Sequence, residues 1–182
     1  MHSVKPQKER DIYLQYMNSF NKKLKRITDL GIDINLDSLI DYVQSNAKEL
    51  IGLPTNIVHG DFHPGNIIIS SNVAYMIDLD VCKERNGIYD LASASIIENY
   101  PAFYYNLINN YYNGKIPNNF WTIYNLYSII YILDYIFYTH RMFNDTEYAK
   151  ERLRDFEKSN GYYNGEPYWY TLQKKGNRKW EN

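Results

Sequence analysis

At 182 residues the chain is long enough for one domain with a real core and too short for two such domains to be expected. Its 20 basic and 21 acidic residues give a formal charge of -1, so no global field steers it toward nucleic acid or anionic lipid, and neither is an expected partner. The single cysteine, Cys82, cannot close an internal disulfide, and no signal-peptide pattern opens the sequence, so a reducing cytoplasm is the expected compartment.

Residues 1–7 carry no periodicity and are expected to fray. From Lys8 to Leu30, Tyr13, Tyr16, Met17, Phe20, Leu24 and Ile27 recur at helical spacing, and Gly31 stands where a helix stops. Lys22, Lys23, Lys25 and Arg26 on this segment read as a solvated outer face. A second helix is expected over about 36–50, with Leu36, Leu39, Ile40, Val43, Ala47 and Leu50 on one face, Asn35 or Asp37 as cap, and Gly52 beyond its end. Pro54 then imposes extended chain, and Asn56 to Val58 reads as a short strand.

That strand delivers His59-Gly60-Asp61-Phe62-His63-Pro64-Gly65-Asn66, a polar loop broken at Pro64-Gly65. Ile67 to Ser70 is expected to leave it as a strand, turn at Ser71-Asn72 and return antiparallel over Val73 to Asp78. Asp61, Asn66, Asp78 and Asp80 can thereby converge at one edge of a small sheet. Magnesium prefers oxygen ligands, commonly one or two carboxylates completed by water and substrate phosphates, and Asn66 and Asp78 are of that type. Asp61, five residues before Asn66, suits a base that accepts a hydroxyl proton. Asp80 reads equally well as a further ligand or a solvated strand end.

His59-Gly60-Asp61, Asn66, Ile77-Asp78 and Tyr89-Asp90-Leu91-Ala92, in that order, resemble the aminoglycoside phosphotransferase and choline kinase family, a small-molecule branch of the protein-kinase-like fold. The resemblance implies an α+β fold, namely the mainly helical C-terminal lobe of that architecture with a small β-hairpin carrying the active-site loop. It also implies transfer of the ATP γ-phosphoryl group, with GTP as an alternative donor, to a hydroxyl of a small molecule such as an aminoglycoside, choline, homoserine, a sugar or thiamine. Asp61 would be the catalytic base, Asn66 and Asp78 would hold Mg2+, and His59 and Asp90 would support the loop. Asp90 reads otherwise as the cap of a helix starting at Leu91. Protein kinases place an arginine before the catalytic aspartate, where it pairs with a phosphorylated activation loop; here that residue is Gly60, and only Leu79 to Tyr89 separate Asp78 from Asp90. A small acceptor is therefore expected rather than a protein.

The remainder reads as helical. Segments are expected from Pro101 to about Tyr112, from Asn119 to His140, and from Asp145 to Lys158 with Tyr148, Leu153 and Phe156 inward, closed by Asn160-Gly161. The long segment is apolar nearly all round, but Asp134, Asn125 and Ser128 make a bilayer costly for it, so it reads as the buried central helix. Asp134 is a candidate for acceptor binding, since the resembled family uses carboxylates from its helical region; the other reading is a buried carboxylate satisfied within the fold. A short helix is expected at about 168–174 and a frayed end at 175–182, with 1–182 forming one domain.

The smaller β-rich lobe of such enzymes, with its phosphate-covering loop and lysine, has no counterpart in these residues: no G-x-G-x-x-G occurs. The chain is therefore expected either to be a truncated product or to take a separately encoded N-terminal lobe as partner, and slow turnover or none is expected without that lobe. Two other classes fit the same letters. A metal-dependent hydrolase would use His59, Asp61 and His63 with Asp78 and Asp80, and a non-catalytic scaffold of the spore-coat kind would keep the lobe without its chemistry.

Overall fold

The computed structural model describes residues 2, 3, 6, 8–95, 100–159 and 165–176. It is α+β and dominated by helices, with two small antiparallel sheets. The expectation of frayed ends falls mainly on residues outside that described set, as does the stop at Asn160-Gly161.

Helix α1 spans Ile12–Asp29, starting later than the periodicity suggests because Asp11 caps it, its carboxylate accepting from the Leu14 amide at 2.9 Å. Ile12, Tyr16, Phe20 and Ile27 are buried, while Tyr13, Met17 and Leu24 flank them half-covered. Helix α2, Asp37–Asn46, tightens into a 3-10 turn over Ala47–Leu50. Neither expected residue is its cap: Leu36 occupies that position with no side-chain bond, and Asn35 instead accepts from the Asp37 amide in a local turn.

Strand β1 (Asn56–Val58) pairs with β4 (Lys83–Arg85), whereas β2 (Ile67–Ser70) pairs with β3 (Val73–Met76). The second pair is the expected hairpin, turned by Ser71 and Asn72 at positive φ, but β3 stops two residues short of Asp78. Nothing in the letters of Lys83-Glu84-Arg85 signals β4, whose three charged residues become a strand because β1 offers an unpaired edge.

The short helix α3, Ile88–Leu91, contains Asp90 rather than being capped by it, and α4 spans Pro101–Tyr111. Helix α5, Phe120–Phe143, is the centre of the molecule. Leu126, Ile129, Leu133 and Ile136 are fully enclosed, and the Tyr16 hydroxyl donates to the Leu126 carbonyl at 2.9 Å, tying α1 to it. Buried tyrosines at 124 and 127 show that the aromatic stripe is core at this end, while Tyr138 is exposed. No helix among the described residues is long and apolar enough to cross a membrane. Helix α6, Thr146–Ser159, buries Ala149, Leu153 and Phe156 and leaves Tyr148 at the rim; α7, Tyr168–Lys174, packs Tyr170 inward.

Candidate active site

Strand β1 carries the chain into residues 59–62, and several backbone groups there have a side-chain partner behind them. The Asp90 carboxylate accepts from the His59 amide at 2.8 Å and from the Gly60 amide at 2.9 Å. The Asp61 carbonyl accepts from Asn66 Nδ2 at 2.9 Å, and the Phe62 carbonyl from the Ser93 hydroxyl at 2.6 Å and the Tyr104 hydroxyl at 3.2 Å. Buried backbone groups must be satisfied somewhere, and here fixed side chains satisfy them, which sets the loop's shape.

His59 is fully buried, and its Nε2 lies 2.9 Å from the Ile77 carbonyl. A carbonyl only accepts, so Nε2 carries the proton and Nδ1 faces the Asp61 amide as a long acceptor at 3.4 Å. With both ring nitrogens turned to the backbone, His59 has no lone pair to offer a cation, as the hydrolase alternative requires. Among the described residues no three His, Cys, Asp or Glu side chains gather into a metal-holding group.

Gly60 is where the chain turns, at φ +88°. A Cβ there would stand 2.5 Å from the Val81 carbonyl oxygen, so only glycine lets the loop lie against the segment entering β4. The Asp61 side chain, 56% exposed, projects from this braced backbone, with His63 Nε2 3.8 Å from its carboxylate. His63 also caps the turn Pro64–Asn66, its Nδ1 accepting from the Gly65 amide.

Asn66 is buried and links loop to hairpin: Nδ2 holds the Asp61 carbonyl, and the Asn66 carbonyl accepts from the Ile77 amide at 3.0 Å. Asp78 follows at once, in left-handed conformation (φ 59°, ψ 57°) and with no capping bond from its side chain. A non-glycine residue held there stores strain, which collects at functional sites. Asn66 and Asp78 are thus tied to the Asp61 backbone through one chain of hydrogen bonds, and Asp80 sits two residues further on, in an exposed 3-10 turn at Leu79–Val81. An amide oxygen and one or two exposed carboxylates are the donor types with which Mg2+ is held beside substrate phosphates.

Asp134 lies apart. Its carboxylate is ion-paired with Lys23, and the pair lines a small cavity that also holds Lys83 and Arg85. Burial lowers the Lys23 ammonium's pKa, partly offset by Asp134. A larger, mostly apolar cavity of about 580 Å³ opens on the other side of the loop, between Phe62, Met76, Leu107 and Tyr111. At its wall His2 Nε2 donates to Asp90 at 2.9 Å.

A model of the APH phosphotransferase enzyme family matches residues 1–117, which include the whole of this loop and hairpin. The chain belongs to that phosphotransferase family. No curated protein and no solved structure matches it.

Two supports of the phosphotransferase loop lie outside the sequence motifs. Ser93 sits three residues after Asp90, on the same helical face, so its position carries a weak signal; Tyr104 comes from α4 and carries none. Burial, opposed by the Ser93 hydroxyl and reinforced by the charges of Asp61 and Asp90, pushes the Tyr104 phenol up to about 12, keeping it a neutral donor to Phe62. Burial likewise raises the Cys82 thiol, with Asp90 and Asp80 adding to it, so Cys82 is a poor nucleophile beside the site.

Proposed function

We propose that the chain transfers the γ-phosphoryl group of ATP, with GTP as alternative donor, to a hydroxyl of a small molecule. The observation that supports this reading is the outward carboxylate of Asp61 on a loop whose backbone is bonded to Asp90, Asn66, Ser93 and Tyr104. A base held this way keeps its position without reorganising during the reaction, which is where enzymes gain most in phosphoryl transfer.

Asp61 accepts the acceptor's hydroxyl proton as that oxygen attacks the γ-phosphorus in line; the new O–P bond forms as the bond to the nucleoside diphosphate breaks. Asn66 Oδ1 and Asp78, with Asp80 as a further carboxylate, would hold Mg2+, which when bound neutralises charge on the phosphates. His59 and Asp90 keep the loop and the Asp78 segment in register through the Ile77 carbonyl and the loop amides. A β-rich lobe, on this chain or another, would complete the nucleotide cleft over the hairpin, where Ile68, Ile69, Val73, Tyr75 and Ile77 are all exposed.

The test is nucleoside diphosphate production with Mg2+-ATP and Mg2+-GTP against aminoglycoside, choline, homoserine, sugar and thiamine acceptors. Asp61→Asn should lower the acceptor-dependent rate by about 10²–10⁴-fold at unchanged circular dichroism. Acceptor-dependent turnover that survives Asp61→Asn would remove the assigned base. A biological effect that persists in the variant, without turnover in either protein, would instead favour the scaffold alternative.

A further inference from the structure

Behind the catalytic loop, between α1, β4 and α5, lies a cavity of about 190 Å³ lined by Lys23, Lys83, Arg85, Asp134, Tyr89 and Tyr127 among others. Three of these side chains are cationic and one is anionic. Lys23 is paired with Asp134, but among the described residues neither Lys83 nor Arg85 has a carboxylate partner. Lys83 Nζ donates to the Tyr89 hydroxyl at 3.0 Å and lies 4.6 Å from the centre of the same ring; among the described residues Arg85 donates to the Glu84 carbonyl, at 3.1 Å. Lys83 and Lys23 also repel each other across the space.

A second observation points the same way. Tyr127, 2% exposed, lines this cavity, and no hydrogen bond of good geometry reaches its buried hydroxyl, although the Asn86 amide stands close by. An unpaired buried hydroxyl costs about 1–3 kcal/mol. Uncompensated cations and an idle donor facing one space describe a receptor for an acceptor-rich anion.

We propose that this cavity is a binding site for one tetrahedral oxyanion of phosphate size, held by Lys83, Arg85 and the Tyr127 hydroxyl, with Lys23 and Asp134 at its edge. The volume falls below the roughly 300–1,000 Å³ typical of small-molecule pockets, which suits a single phosphoryl group and excludes a nucleotide. Asp61, Asn66 and Asp78 do not line this cavity, and its existence does not depend on the phosphotransfer reading. It is nonetheless coupled to the loop: Lys83 is paired with Val58, the residue before His59, and its Cε would stand 3.0 Å from a Cβ on Gly60. An occupied cavity therefore fixes β4 against the strand that delivers the catalytic loop.

The test uses the full chain with EDTA present, so that no divalent cation recruits phosphate to the acidic hairpin. Calorimetric titration and thermal melts are run with inorganic phosphate and with glycerol 3-phosphate, at ionic strength matched by chloride. Saturable binding and a concentration-dependent rise in melting temperature are expected. Tighter binding of inorganic phosphate assigns the free ion as ligand, and tighter binding of the ester assigns a phosphoryl group carried on a small molecule. Lys83→Met and Arg85→Gln should each weaken binding at least about tenfold. Asp134→Asn, which removes the one opposing charge, should tighten it roughly threefold or more, an outcome that a folding defect cannot mimic. No saturable binding of either probe, or binding unchanged in both cation variants, overturns the proposal.

Discussion

Asp90 is the residue whose replacement most directly tests how the loop is held. Its side chain is 4% exposed, and its two oxygens accept from the His59 and Gly60 amides and from His2. Hydrogen bonds to a charged acceptor contribute about 1.5–3 kcal/mol each, and a buried donor left without a partner costs about 1–3 kcal/mol. In Asp90→Asn one oxygen remains, at neutral strength, and the new NH2 faces an N–H donor, so a loss of about 2–4 kcal/mol is expected. Asp90→Ala removes both loop bonds and should cost about 3–5 kcal/mol. His2→Ala removes only the outer, partly exposed donor and should cost less than about 1 kcal/mol. Urea unfolding reads the series directly: with a slope of about 1–3 kcal/mol per molar, the Asp90→Asn midpoint should fall by about 1–2 M. An Asp90→Asn midpoint indistinguishable from wild type would refute the claim that this carboxylate shapes the loop.

Gly60→Ala should destabilise by about 2–5 kcal/mol, because φ +88° strains any L side chain and the added Cβ meets the Val81 carbonyl. Amide exchange at residues 58–61 should rise in step, and an unperturbed variant would mean that the close approach of loop and β4 is not required. Alkaline lability is also expected. Burial raises the phenols of Tyr104, Tyr112, Tyr124, Tyr127 and Tyr131 above the unfolded value of 10.0, Tyr104 to about 12. The unfolded chain therefore loses these protons first. Their contribution is complete below pH 10 and is lost as pH climbs above it, for Tyr104 as pH approaches about 12, at about 3 kcal/mol for that residue alone. Lys23, lowered by burial, works in the opposite sense between its folded value and 10.5, but it is one group against five. Urea midpoints at about pH 9 and about pH 11.5, followed with tyrosinate absorbance, check the sign; equal midpoints would contradict it.

The elements legible in the sequence are those whose signal is local. Helical spacing gave α1 and α2 with the correct inward faces and α5 as the buried central helix, and Ser71-Asn72 marked the hairpin turn because only a left-handed pair of residues joins β2 to β3 so tightly. Elements defined by a distant partner were not legible. Strand β4 exists through its pairing with β1; Asp90 reads locally as a helix start, and only the family resemblance assigned it to the loop, where its carboxylate accepts from amides thirty residues upstream. The same limit applies to Asp134. From its helix alone it reads either as open to an acceptor or as satisfied within the fold, and the packing of α1 against α5 brings Lys23 to it.

Ile77 explains how a strained residue persists at the hairpin's mouth. Its amide is held by the Asn66 carbonyl and its carbonyl by the His59 ring, so the peptide entering Asp78 is clamped on both sides before the backbone turns left-handed. Such strain costs about 1–3 kcal/mol and survives only where its surroundings over-determine it. The clamps are supplied by the same two residues that brace the loop carrying Asp61: His59 begins that loop, and Asn66 grips its Asp61 carbonyl. Loop and hairpin are thereby one mechanical unit, in which the position of one carboxylate cannot change without disturbing the hydrogen bonds that hold the other.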